Sequence, residues 1–227
     1  MSNFSFKTFL ESLNTKPLID VSIANNSYVS LDLSIDNRDL ITVNVSSSTD
    51  LENYIWNFMR IKNAKVAYGG YLEKRGIYNR SDYFNKLNPD EERNIHLGLD
   101  LWVEAGTPIY APLDATVHSF NNNTNYGDYG PTLILKHSFD AIEFYTLYGH
   151  LSLDSLKGKR LDEQIKSGQQ IAVLATSEVN GDYPPHLHFQ IIKDIKDYKG
   201  DYPGVSNNLD LEFYKRNCPD PNWLLNL

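Results

Sequence analysis

From about residue 95 to 195 the chain is a succession of short β-prone runs: TPIYAPL, ATVHSF, PTLILKH, IEFYTLYGH, QQIAVLAT and HLHFQII. Turn residues separate them, and NNNTNYGDYGP reads as a loop by composition. No comparably long helical pattern interrupts the series, apart from the short stretch SLDSLKGK. Runs of this length and spacing build a mainly β, mostly antiparallel domain over residues 90–195.

The flanks read differently. Phe4, Phe6, Phe9, Leu10 and Leu13 have the spacing of a short amphipathic helix. YVSLDLSI and LITVNVSS alternate apolar with polar residues around DNRD, which predicts a hairpin. Thr49 or Asp50 is positioned to cap a helix through LENYIWNFMRIK, with Leu51, Ile55, Phe58 and Met59 on one face. Residues 1–65 therefore form a small α+β module, 66–89 a connecting segment, and 196–227 a tail packed on the surface through Phe213, Tyr214 and Trp223. The net charge is −8 without Lys/Arg runs, which argues against nucleic-acid binding by charge. No apolar stretch approaches the ~20 residues of a membrane span. The N-terminus lacks a cationic start followed by an apolar core, so the expected location is cytoplasmic. The single cysteine, Cys218, excludes an internal disulfide and a cysteine-rich metal site, and is given no role.

The chemistry is in the histidines, of which there are six. Two of them, His186 and His188, sit two apart in HLHFQII, so on a strand they share one face while Leu187 and Phe189 share the other. Bulk core packing explains a lone histidine, but it explains a same-face pair poorly, because each ring must place two nitrogens. A second cluster is NIHLGLDLW, with His96 and Asp100 four apart. Gly98 and Pro108 disfavour a helix here, and full extension would separate the two Cα atoms by roughly 13 Å. A shared ion therefore requires a bend, and Gly98 is where the chain bends most easily. His150, in YTLYGHLS, sits near a strand end. Imidazoles and a carboxylate are zinc ligand types. Two histidines with one carboxylate leave the fourth tetrahedral position to water, as a catalytic site requires. That uses three of the five candidates, and the spare histidines could move protons or stabilise a charged intermediate.

HLGLD, YGHLS and HLHF stand in the order found in lysostaphin-type zinc endopeptidases. AGTPIYAPLDATV and IKSGQQIAVLA also resemble the family's intervening segments. The resemblance covers about residues 90–193. It implies an antiparallel β-sheet groove of the duplicated hybrid type, one zinc ion per chain, and hydrolysis of peptide bonds, usually in cell-wall peptides. Carried over by position, it makes His96, Asp100 and His188 the ligands, and His150 and His186 the catalytic histidines. His118 and His137 match no family motif and are read as structural or solvent-facing. In ATSEVNGDYPPHLHF, Ala175 replaces a usual glycine in a loop that edges the substrate groove. The longer pattern HLGLDLWVEAGTPIYAPLDATVHSF also resembles peptidase-like modules fused to aminotransferases, which implies an intracellular role. The expected partner is a peptide or peptidoglycan-fragment substrate. The alternatives are a non-catalytic metal- or peptide-binding regulatory module of the same fold, and a hydrolase of a non-peptide amide. The N-terminal module contains no histidine and supplies no imidazole; it is expected either to control access to the groove or to serve as a docking or stabilising module.

Overall fold

A computed structural model describes residues 5–20, 22–23, 27–81, 84, 86 and 88–227 of the chain. Phe4 of the predicted first helix lies outside the described residues; the helix itself, α1, runs Phe6–Ser12 with Ser5 as its cap. The strands are β1 (Tyr28–Ser30), β2 (Val66–Gly69), β3 (Ile95–His96), β4 (Leu99–Trp102), β5 (Pro108–Tyr110) and β6 (Ala115–Asn123). They continue with β7 (Gly130–Phe139), β8 (Ile142–Gly149), β9 (Gln164–Ile165), β10 (Gln170–Val173), β11 (His186–Ile192) and β12 (Val205–Ser206). Helix α2 is Ser48–Ile61; α3 (Leu211–Asn217) and α4 (Asn222–Leu225) close the chain. Among the described residues no helix is long and apolar enough to cross a membrane.

One eight-stranded sheet has the order β1-β2-β4-β11-β8-β7-β6-β9, with β5–β10 and β3–β12 as separate two-stranded pairs. All pairings in the large sheet are antiparallel except β1–β2. The β-prone runs read from the sequence are all strands, and SLDSLKGK holds a 3-10 helix at Leu153–Leu156. The loop between β6 and β7 is shorter than its composition implied, because β6 continues through Asn123.

The N-terminal hairpin does not form. Tyr28–Ser30 pairs in parallel with Val66–Gly69 instead, and Arg38–Thr42 is a 3-10 helix. The polar residues between the two runs explain this. Asp32 accepts from the backbone N–H of Ser34 and Asn37 from that of Asp39, local bonds that offer the backbone an alternative to a ladder. Helix α2 forms as expected but starts earlier, with Ser47 as the cap accepting from Asp50 N–H. Its buried face is Leu51, Ile55 and Met59, at i, i+4 and i+8.

The sheet's two faces have different fates. Leu99, Leu101, Leu187, Phe189 and Ile191 enter the main core, together with Leu133, Leu135 and Phe144. On the opposite face, Trp102 joins a cluster built around α2. Ile192 joins a third cluster, with Tyr202 and Cys218. Phe213, expected to anchor the tail, is 45% exposed, whereas Tyr202, Cys218 and Leu224 are buried. The polar constellation lies between these two smaller clusters.

Candidate metal centre

β11 runs between β4 and β8, and register decides what meets there. His188 is opposite Asp100 on one side and Gly149 on the other; His186 is opposite Trp102. His96 ends β3, and the chain bends at Gly98 before β4 begins. Gly98 owes its identity to proximity as much as to bending. A Cβ there would lie 2.5 Å from His188 Cε1 and 2.9 Å from the Phe189 carbonyl oxygen. His150 follows β8 directly with φ +62°, a left-handed conformation that is uncommon for a residue other than glycine.

Three atoms converge. His96 Nε2 and His188 Nδ1 are 2.8 Å apart, and Asp100 Oδ1 is 3.3 Å from the first and 3.2 Å from the second. A tetrahedral zinc site with bonds of ~2.0–2.1 Å separates its ligand atoms by roughly 3.3 Å. All three residues are buried.

The outer hydrogen bonds fix the tautomers. His96 Nδ1–H donates to the Gly70 carbonyl at 2.9 Å, leaving Nε2 a bare lone pair. His188 Nε2–H donates to Gln190 Oε1 at 2.9 Å, leaving Nδ1 bare. Gln190 cannot turn its amide round, because its Nε2 donates to the Pro203 carbonyl and to Cys218 Sγ. Asp100 Oδ1 has no hydrogen-bond partner among the described residues, while Oδ2 accepts from Arg75 Nη1 at 2.5 Å. Burial pushes His96 down to about 4, against the attraction of Asp100. Burial acts to raise Asp100, but the charges of His96 and Arg75 outweigh it and hold the carboxyl well below its usual range. In these tautomers the triangle is three acceptors facing one another, with the protons of both rings directed outward. Such an arrangement is stable when a cation sits at its centre.

The other two histidines stand beside it. Their ring centroids are 4.2 Å apart, and His186 Nε2 is 3.8 Å from Asp100 Oδ1. His150 Nδ1–H donates to the Asn180 carbonyl at 2.8 Å and His186 Nδ1–H to the Pro184 carbonyl at 2.7 Å. Both rings thus keep Nε2 as the free lone pair. Burial lowers both pKa values, His150 well below its ordinary value, with the neighbouring imidazoles adding to the effect there.

The model of peptidase family M23 matches residues 94–200, a stretch that contains all five of these side chains. Residues 94–200 belong to that family. A metalloprotease of Haemophilus influenzae, otherwise uncharacterised, is 33% identical over 95 residues, covering 42% of this chain and 18% of that protein. The peptidoglycan DD-endopeptidase ShyC of Vibrio cholerae is 35% identical over 98 residues, covering 43% of this chain and 20% of its own. The match thus spans about a fifth of the length of these curated relatives. The catalytic domain of lysostaphin from Staphylococcus simulans aligns with a TM-score of 0.38 at 22% identity, over 54% of this chain and 80% of that one.

Two supports of the M23 site come from outside the matched stretch. Gly70 and Arg75 both precede it, in residues first read as a connecting segment. The β2–β4 pairing delivers them, with Gly69 opposite Asp100. A side chain at Gly70 would collide with the Arg75 guanidinium. Leu33 and Leu51 of the N-terminal module, with Ile77 and Tyr78 of the connecting segment, also line the adjoining cavity of about 190 Å³. The segment at 66–89, read as a connection, is therefore part of the site, because Gly70 and Arg75 hold two of the three converging side chains. Gln190 had a sequence signal: it is the next same-face residue after His186 and His188. The carbonyls of Asn180 and Pro184 had none, since any residue type supplies one. The remaining histidines lie outside the site: His137 is buried and His118 packs its ring against Tyr145.

Proposed function

We propose that this chain is a zinc-dependent endopeptidase acting on peptidoglycan-type or other short peptides, with one zinc ion held by His96 Nε2, Asp100 Oδ1 and His188 Nδ1. The observation that carries the reading is the buried triangle of three proton-free donors within a stretch of peptidase family M23. Two imidazoles with one carboxylate suit zinc and leave a coordination position open. A bound zinc ion would acidify a water toward pKa ~7 and polarise the scissile carbonyl.

The chain's own groups supply the rest. Gly70 and Gln190 hold the ligand rings in their metal-accepting tautomers, the outer support that metal histidines require. His150 and His186 are neutral at pH 7 and offer Nε2 as proton acceptor. Once protonated, the same nitrogen donates to the developing oxyanion or to the leaving amine. Their low basicity speeds return of the proton. The peptidoglycan-type substrate is supported by the likeness to a relative named as a peptidoglycan endopeptidase.

The test is metal analysis of the full chain, followed by mass spectrometry of defined cell-wall peptides after incubation. The expected result is stoichiometric zinc, removable by chelator, with peptide cleavage. His188→Ala and Asp100→Ala should lose most of the metal, and His186→Ala should keep it while losing turnover. Bound zinc without cleavage of any peptide would favour a binding module. Metal loss in His186→Ala but not in His188→Ala would reverse the roles within the pair.

A further inference from the structure

One bend holds both of the histidines that stand beside the ligand triangle, His150 and His186. Asn180 and Pro184 stand at its two ends, and their carbonyls accept from His150 and His186. The two residues between them that turn the chain, Gly181 and Asp182, both have left-handed backbones, with φ of +82° and +64°. Gly181 has no alternative, since a Cβ there would collide with the Asp128 carbonyl oxygen. Asp182 occupies the same region, which Asp visits more readily than most residues with a side chain, as Asp140 and Asp162 do elsewhere in this chain. Their carbonyls are turned to other partners: Gly181 accepts from the Gly127 backbone N–H at 3.1 Å, and both accept from Arg80.

Arg80 belongs to the 3-10 helix Gly76–Arg80, before the family-matched stretch. Its side chain is 4% exposed. Nη2 donates to the Asp182 carbonyl at 2.6 Å and to that of Gly181 at 3.4 Å, and Nη1 donates to Asp182 Oδ2 at 3.1 Å. The guanidinium also lies over the ring of Tyr183, 4.5 Å from its centroid, and that ring meets His150 edge-on. Ser48 at the start of α2 takes the other carboxylate oxygen of Asp182 at 2.7 Å.

We propose that Arg80 is a positioning residue that sets the tautomers of His150 and His186 by clamping the 180–184 bend. The inference rests on the proposed roles of those two histidines. With the clamp in place, the carbonyls of Asn180 and Pro184 face inward, each imidazole carries its proton on Nδ1, and Nε2 is left free. Without it, the bend loses three bonds from a buried guanidinium, the two carbonyls shift, and each ring is free to take the other tautomer. A planar fork suits this task, because three acceptors in a row need donors at fixed angles.

The full chain labelled with ¹⁵N-histidine tests this directly, because ring nitrogen shifts report the tautomer. In Arg80→Met the signals of His150 and His186 should move from the Nδ1–H pattern toward a tautomer average. His137, bonded at both nitrogens, should stay unchanged as an internal control. Peptide cleavage should fall about 10- to 100-fold in kcat with KM altered much less. Arg80→Lys, which cannot serve three acceptors at once, should shift the same signals by a smaller amount. Unchanged His150 and His186 signals in whichever of these two variants folds would overturn the proposal. Absence of cleavage by the unsubstituted chain would sink the peptidase reading instead, and the tautomer comparison would still decide the role of Arg80.

Discussion

Two buried regions of this protein hold histidine, and they solve the burial differently. On β7, His137 is buried with both nitrogens satisfied: one bonds the Asp114 carbonyl at 2.9 Å, the other Thr146 Oγ1 at 2.8 Å. Its ring stacks on Phe144, 4.8 Å between centroids. On β3 and β11, His96 and His188 are buried just as deeply. There each outer nitrogen is satisfied and each inner one faces another lone pair. Burial lowers His137 and His96 alike to about 4, so the titration of these two rings does not tell the regions apart. What separates them is the count of donors against acceptors. The first region closes by itself, and the second closes only around a cation.

The largest test of that contrast is metal addition. Zinc at a thousandfold over its dissociation constant should stabilise the chain by about 4 kcal/mol, read as a rise in Tm that a chelator reverses. His188→Ala should abolish that rise. His137→Ala should preserve it, and equal loss in both variants would mean the two regions are not distinct. Next in size is pH. For His96 and His137 the folded value near 4 lies below the unfolded value near 6.5. Between those values the unfolded chain takes the proton and the folded chain does not. Stability of the metal-free protein is therefore full above pH ~6.5 and is lost as pH falls toward 4, by on the order of 3 kcal/mol for each ring. Zinc should deepen the His96 part, because proton and metal compete for one nitrogen, and leave the His137 part alone. Denaturant melts at several pH values, with and without zinc, measure both.

A smaller effect comes from His137→Ala itself. It should cost about 2 kcal/mol, through a cavity and two orphaned bonding partners, with zinc stoichiometry unchanged. The smallest concerns Gln190→Leu, which removes the acceptor that fixes the His188 tautomer. Zinc affinity should drop about tenfold, measured by competition with a chromogenic chelator. No change would mean the amide serves only Pro203 and Cys218.

Much of the site was legible because a strand alternates. HLHFQII reads directly as two faces, and the structure puts Leu187, Phe189 and Ile191 in the main core with the histidines opposite. The bend between His96 and Asp100 was legible from distance alone. The failures share a cause. The hairpin of residues 28–47 was inferred from alternation, but Tyr28–Ser30 finds its partner 38 positions along the chain, at Val66 to Tyr68. Arg75 and Arg80 look like ordinary surface charges in EKRGIYNR. Only the β2–β4 pairing and the 180–184 bend reveal their partners, and neither long-range contact leaves a local pattern.

The pairing of β3 with β12 carries a consequence for how the molecule is made. His96 is opposite Val205, and the bond that orients Gln190 ends at Pro203. On a ribosome, residues 94–200 emerge before those partners do. A chain still short of Val205 has the histidines but lacks the strand that holds His96 and the carbonyl that turns Gln190. Closing such distant contacts is slow, because chain entropy opposes it until the last strand is present. Synthesis therefore has a built-in order: the geometry of the triangle waits for Pro203 and Val205, and a nascent chain short of them carries the histidines without their frame.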